Sequence, residues 1–315
     1  MIDFNLGRPV KPMLISISAD PFNDPDYIYE LKLDGERCVA YLNRNDIELY
    51  NKRGNKLLIK VPELGNINRQ IKKRCILDGE LIVTIDGKPN FYEIVRRLIT
   101  SNKLRIELLS GKYPASYVVY DILYIGDKDI TGRSLLERKD ILNKNLIENE
   151  KIALSRFLPE KGIEFFDLAN QNGLEGIVAK KADSIYYPGT RTKEWIKIKN
   201  LLDDDFIICG YILKADYVVS LVIGQFNTKK ELLYKGHVTL GISKEDFSII
   251  AKHEKIAKPY FKTYPKGGKN SEAVWIKPTL VCTVSYMVKT RSSIRHPVYK
   301  GLRLDKTADE CIDKG

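Results

Sequence analysis

The feature that most restricts the fold is a change of texture at Asn200. Before it, extended runs with period-two alternation are interleaved with segments whose apolar residues recur at helical spacing; after it, nearly every segment is a short strand. Residues 27–43 read as strand, turn and strand, with Tyr29, Leu31 and Leu33 on one face and Ile28, Glu30 and Lys32 on the other. Residues 75–83 and 117–123 read as buried strands. Asn90 with Glu93 resembles a capping box, and Phe91, Ile94, Val95, Leu98 and Ile99 share one helical stripe. Ser134 with Glu137 is a cleaner box, opening a helix to about Glu148, and a helix near 160–172 should stop at Gly173. Beyond Asn200, the stretches 206–213, 217–225, 232–240 and 273–288 are strand-like and one helix falls near 243–256. That pattern predicts a small barrel. The expected domains are 1–200 and 201–315, linked by Leu201-Leu202-Asp203-Asp204-Asp205.

A chain of 315 residues can bury two cores. No stretch approaches the roughly 18 uncharged apolar residues that span a bilayer, and Met1-Ile2-Asp3-Phe4-Asn5 has no features of a signal peptide. The five cysteines are scattered and never form a Cys-x-x-Cys pair, which argues against a disulfide framework or a zinc site and for the reducing cytoplasm. The net charge of +11 fits a polyanionic partner, although charge alone also describes an ordinary solvated surface.

The run Glu30-Leu31-Lys32-Leu33-Asp34-Gly35-Glu36-Arg37 places a lysine in an extended segment, followed at once by an Asp-Gly turn and an arginine. Such an amine is suited to attack phosphorus, provided it is neutral. An ordinary lysine is only about 0.04% neutral at pH 7, and making half of it neutral requires about 4 to 5 kcal/mol of differential stabilisation. Nearby cations supply this. In Trp195-Ile196-Lys197-Ile198-Lys199 the alternation puts Lys197 and Lys199 on one face, available to Lys32 and to a phosphate, and the isoleucines on the other. In isolation the same alternation describes a half-exposed strand with solvated lysines.

Lys32-x-Asp-Gly-x-Arg resembles motif I of the covalent nucleotidyltransferases: DNA ligases, RNA ligases and mRNA capping enzymes. Further segments resemble the DNA ligase pattern in the same order: Arg53-Gly54, Asp78-Gly79-Glu80, Tyr120-Asp121, Glu175-Gly176-Ile177-Val178-Ala179-Lys180, Trp195 to Lys199, Trp275-Ile276-Lys277-Pro278, and Arg295-His296-Pro297 through Gly301-Leu302-Arg303-Leu304-Asp305-Lys306. The resemblance is closest to the ligase domain of bacterial DNA ligase D. It implies an α+β nucleotidyltransferase domain, with ATP-grasp-like antiparallel sheets and flanking helices, followed by a small OB-fold barrel.

The resemblance also implies roles. Lys32 is the nucleophile, and Asp34 positions it or a metal. Lys197 and Lys199 are catalytic and bind the α-phosphate. Arg37 and Arg53 contact ribose or phosphate, and Glu80 accepts from a ribose hydroxyl. Tyr120 stacks on adenine, where the family more often has Phe. Lys180 and Arg191 belong to the nucleotide site, and Glu30 accepts from the adenine amino group, which favours ATP over GTP. Glu175, with Glu80, holds Mg2+ or Mn2+. Arg303, Asp305 and Lys306 orient the pyrophosphate leaving group, with Gly301 allowing a turn. His296 has a structural role, and His237 and His253 are surface or packing residues. Taken singly, Arg37 and Arg53 also read as surface arginines and Tyr120 as a core tyrosine. The implied partners are nicked duplex DNA and a Ku-like end binder, for a monomer in the bacterial cytoplasm or nucleoid acting in DNA repair. Only about 30 residues precede Lys32, so the helical DNA-binding domain of larger ligases is expected to be missing. The alternatives are a GTP-using capping enzyme or RNA ligase, and a non-catalytic OB-fold nucleic-acid binder.

Overall fold

The computed structural model describes residues 9–214, 217–289 and 294–313. The chain divides into two compact units, Met1–Asn200 and Leu201–Gly315.

The first unit holds two sheets. One runs in the order Leu14–Ser18, Arg191–Lys199, Gly176–Lys181, Asp24–Leu31, Phe157–Glu160. The other runs Asp46–Asn51, Glu36–Asn43, Cys75–Ile85, Ala115–Ile125, Lys128–Asp129, with Lys88–Pro89 and Ile152–Leu154 at its margins. The sheets are mixed rather than purely antiparallel: Leu14–Ser18 lies parallel to Arg191–Lys199, and Ile152–Leu154 parallel to Ala115–Ile125. Residues 27–43 therefore form no hairpin. Asp24–Leu31 ends in one sheet, Glu36–Asn43 begins in the other, and Lys32 to Gly35 cross between them.

Strand alternation decides what each face buries. Ile28, Val178 and Trp195 point inward and pack with Val39, Tyr41, Ile76, Tyr120 and Leu123 from the second sheet. Tyr29, Ile177, Ala179, Ile196 and Ile198 point outward and are covered by Ala169, Phe165 and Phe166 of a helix spanning Gly162–Gln171. That helix is followed by Gly173 at φ +66°, the left-handed position that glycine favours. The outer face of the second sheet packs against Ile94 of the helix Phe91–Ile99, whose cap is Asn90 Oδ1 accepting from Glu93 N at 3.0 Å. The Ser134–Glu137 box opens Leu135–Asn145, which stops short of the expected Glu148. A helix at Lys103–Lys112 was not expected: its leucines do not share a stripe, with Ile106 and Leu109 buried but Leu104 and Leu108 exposed.

In the second unit, Leu202–Lys214, Tyr217–Phe226, Leu232–Val238, Val274–Tyr286 and Val298–Leu302 are ordered third, second, first, fourth, fifth, with the helix Lys244–Ala251 between the third and fourth strands. Tyr299 N donates to Leu240 O at 2.8 Å, joining the fifth strand to the chain just past the third and completing the circuit. Phe206, Ile208, Leu221, Ile223, Ile250 and Val284 fill the interior.

Two expectations are corrected here. Leu202 to Asp205 are not a linker. They pair with Thr283 to Tyr286, where Thr283 Oγ1 donates to Asp205 Oδ1 at 2.7 Å and Ser285 Oγ donates to Asp203. Gly301 makes no turn: it sits inside the last strand opposite Thr283, at a register shift, with φ +150°. All five cysteines are buried. Among the described residues no helix is long and apolar enough to cross a membrane.

Candidate active site

A cavity of about 330 Å³ opens between the two sheets of the first unit, lined among others by Glu30, Lys32, Lys52, Glu80, Lys180, Arg191 and Lys197. Register explains how they meet. Across the first sheet, Glu30 pairs with Val178 and Val178 with Lys197; one row away, Ile28 pairs with Lys180 and Lys180 with Trp195. Paired residues share a face, so Glu30, Lys180, Trp195 and Lys197 all look inward. Lys199 follows Lys197 with the same parity, opposite Gly176, and is half-buried; it lies outside the lining.

Lys32 is fixed by its backbone. Its N–H donates to Gly176 O at 2.9 Å, and Asn200 N donates to Glu175 O at 3.0 Å, which draws the end of one strand, the Glu175-Gly176 step and the end of a third strand together. Lys32 Nζ then lies 2.5 Å from Glu175 Oε1. The expected nucleophile is thus ion-paired with the carboxylate expected to hold the metal. The cationic cluster itself is present: the Lys197 ammonium is pushed below the usual lysine range by burial and by the charges of Lys199, Lys32 and Arg191, against Glu175. Gly176 has φ +130°, and a Cβ there would stand 2.1 Å from Ile198 O.

The base of the cavity is polar and paired. Lys180 Nζ lies 3.2 Å from Glu30 Oε1, and 4.3 Å and 4.0 Å from the ring centroids of Tyr120 and Trp195. Burial lowers its pKa to about 8 in spite of Glu30. Glu80 is pushed up to about 8, burial outweighing Arg37 and Lys32, so its carboxyl keeps a proton at neutral pH.

The sequence profile of the ATP dependent DNA ligase domain matches residues 12–199, and that of the ATP dependent DNA ligase C terminal region matches residues 214–306. The chain belongs to the ATP-dependent DNA ligase family. It is 30% identical to the SPbeta prophage-derived DNA ligase-like protein LigB of Bacillus subtilis, over 94% of this chain and 99% of that one. It is 28% identical to the DNA ligase of Thermococcus fumicolans, of whose length it spans 58%. Its fold resembles that of mycobacterial DNA ligase D complexed with ATP and MES, with TM-score 0.56 and 22% identity over 97% of this chain and 98% of that chain.

Several expected residues of the ligase are placed differently. Arg37 lines the cavity, but its fork is filled: Nε and Nη2 donate to Asp78 at 2.6 and 2.5 Å, and Nη2 reaches Met13 O at 3.2 Å. The Tyr186 hydroxyl donates to the same Asp78 at 2.6 Å. Arg53 is exposed and lies outside the lining; Lys52 takes the cavity position. The reason is the turn after Asn51, whose Oδ1 accepts from Arg53 N and Asn55 N at 3.0 Å each and carries Arg53 away. Asp34 is half-buried in the crossing segment and does not line the cavity. The glycine after it is required for close approach rather than for a tight turn, since a Gly35 Cβ would lie 2.2 Å from Leu81 O.

Tyr120 is both a wall and a core residue, with the Arg37 guanidinium 4.9 Å from its ring centroid. Arg191 lines the cavity and is anchored by donating to Ile15 O at 2.7 Å. In the second unit Arg303 donates to Asp305 at 2.8 and 2.7 Å, while Lys306 pairs with Asp205 and Thr283 donates to that same carboxylate. These contacts hold Asp305 at about 2 and lower Asp205 as well. His237 bridges Ser220 and Asn270, and His253 meets Thr279 on the surface.

Sequence reasoning missed Lys52, Lys139, Ser155 and Tyr186. A signal existed for Lys139: Leu135, Arg138, Lys139 and Leu142 fall on one helical stripe, and all four are buried. Charged residues on an apolar stripe need a buried partner. Arg138 finds Asp121 at 2.8 Å, and Lys139 finds Glu30 at 2.6 Å.

Proposed function

We propose that this ligase seals 3′-hydroxyl/5′-phosphate nicks in duplex DNA through a lysyl-AMP intermediate on Lys32, in the service of DNA repair. The observation that carries the reading is the meeting of Lys32, Arg191 and Lys197 on the wall of one cavity, with Glu175 paired to Lys32 beside it. The Lys32 nitrogen attacks the α-phosphorus of ATP, the bond to the bridging oxygen breaks, and pyrophosphate leaves. AMP then passes to the 5′-phosphate of the nick, and the 3′-hydroxyl displaces it. Lys197 and Arg191, both on the cavity wall, stabilise negative charge on the phosphoryl oxygens, with Lys199 reinforcing Lys197. Arg37 acts through Asp78, shaping the wall; Lys52 supplies a cation on that side of the cavity.

Among the described residues no three His, Cys, Asp or Glu side chains gather as a cation cage. Magnesium needs little more than one carboxylate when phosphate oxygens and water complete its shell. Glu175 fits that need; Glu80, protonated up to about pH 8, fits a hydrogen-bonding role toward ribose better than a metal. The ion would neutralise phosphate charge. The strand order of the second unit and the helix between its third and fourth strands support reading it as an OB-fold. Its Arg303, Asp305 and Lys306 carry the role of orienting pyrophosphate, and its basic residues contact the phosphates of duplex DNA.

The test is incubation with α-labelled ATP or GTP, followed by nick sealing on DNA/DNA and DNA/RNA substrates. Label from ATP should be trapped on the parent and absent from Lys32→Ala, which should not seal. Trapping from GTP alone would point to a capping-type enzyme and overturn the reading, as would sealing by Lys32→Ala.

A further inference from the structure

Glu30 is gripped from behind the cavity wall. Ser155 Oγ donates to its Oε2 at 2.6 Å, while Lys139 Nζ lies 2.6 Å from Oε1 and donates to Tyr120 O at 3.1 Å. Lys139 thereby ties the first sheet, which carries Glu30, to the second, which carries Tyr120. Glu30 is 1% exposed and Lys139 8%. A carboxylate that deep takes up a proton unless it is compensated. Here the charges of Lys139 and Lys180 outweigh burial and hold Glu30 below the usual carboxylate range. Lys180 is the weaker guarantor: it is farther from Oε1, and its own pKa is lowered to about 8.

An ionised carboxylate can only accept hydrogen bonds, whereas a protonated one can donate. The 6-position of adenine carries an amino donor, and that of guanine or hypoxanthine a carbonyl acceptor. An acceptor-only Glu30 attracts the first and repels the second.

We propose that Lys139 is a positioning residue for nucleotide choice: by pinning Glu30 Oε1 it keeps that carboxylate an acceptor aimed into the cavity, so the site takes 6-amino over 6-oxo purine triphosphates. The inference rests on the reading that the base seats against Glu30. Lys139 never touches the nucleotide, and its effect passes through Glu30.

The experiment measures kcat/KM for trapping label from ATP and from ITP, which differ in the 6-substituent and in the N1 proton that accompanies the 6-oxo group, in the parent and in Lys139→Met, Lys139→Arg, Ser155→Ala and Glu30→Gln. A structural loss lowers both substrates alike, because both report on the same folded fraction, so the ATP/ITP ratio isolates specificity. The ratio should fall about tenfold to a hundredfold in Lys139→Met, recover in Lys139→Arg, and fall by a smaller factor in Ser155→Ala. An unchanged ratio in Lys139→Met with a lowered ratio in Glu30→Gln would overturn the role of Lys139. An unchanged ratio in Glu30→Gln would overturn the seating of the base and this inference with it. If Lys139→Met does not fold, Ser155→Ala carries the same prediction, and an unchanged ratio there overturns it.

Discussion

Replacing Gly176 by alanine tests how the nucleophile is held. The residue has φ +130°, a conformation close to exclusive to glycine, and a new Cβ would meet Ile198 O at 2.1 Å and Lys199 Cα at 2.9 Å. The backbone conformation costs about 1–3 kcal/mol, and crowding into packed structure adds about 1–3 kcal/mol. The expected loss is therefore about 2–6 kcal/mol, a large share of a domain stability of about 5–15 kcal/mol. Relief requires Gly176 to move away from Ile198. That shift breaks the register that holds Lys32 N on Gly176 O and Asn200 N on Glu175 O, so Lys32 and Glu175 move relative to Lys197. A displacement of about an ångström costs on the order of a hundredfold in rate. Gly87→Ala is the control, because φ is also positive there, at +76°, but nothing lies within 4 Å of the added methyl. It should lose only about 1–2 kcal/mol and keep full activity. Urea unfolding gives the stabilities, and label trapping from ATP, corrected for the folded fraction, gives the rates. A Gly176→Ala protein matching the Gly87→Ala control in both would refute the steric reasoning.

Other perturbations address separate parts of the molecule. Arg138 donates to both oxygens of Asp121 at 2.8 Å, and both side chains are fully buried; Arg138→Met strands that carboxylate and should cost about 3–5 kcal/mol in urea unfolding. Glu80 holds its proton to about pH 8 when folded, against an ordinary 4.5, so the folded state binds more protons than the unfolded state in that window. Stability of the parent should fall as pH rises from about 4.5 to 8, and Glu80→Gln should gain on it over the same range; parallel urea midpoints between pH 5 and pH 8 would contradict this. Lys52→Ala should raise the KM for ATP several-fold, whereas Arg53→Ala, outside the cavity lining, should leave it unchanged. Asp205→Asn removes the carboxylate that holds Lys306 and should slow label trapping about tenfold while sparing the sealing of a pre-adenylylated nick.

The period of a strand is a property of the backbone, so Trp195 to Lys199 could be assigned faces from sequence: Ile196 and Ile198 do pack under the Gly162–Gln171 helix, and Lys197 faces the cavity. Capping is equally local, and Ser134 with Glu137 marked its helix start. Where a residue's role depends on a distant segment, that reasoning ran out. Asp203 and Asp205 resemble a solvated linker until Ser285 and Thr283 arrive beside them. Lys52 and Arg53 are neighbours of similar chemistry, and only the turn around Asn51 decides which enters the cavity. Glu30 could be placed on the Lys32 face by counting, but its partner Ser155 is 125 residues away. Periodicity and capping are written in the nearest few residues. Desolvation and ion pairing depend on what the rest of the chain brings within a few ångströms, and in this ligase those forces determine the charge carried by Glu30, Glu80 and Lys180.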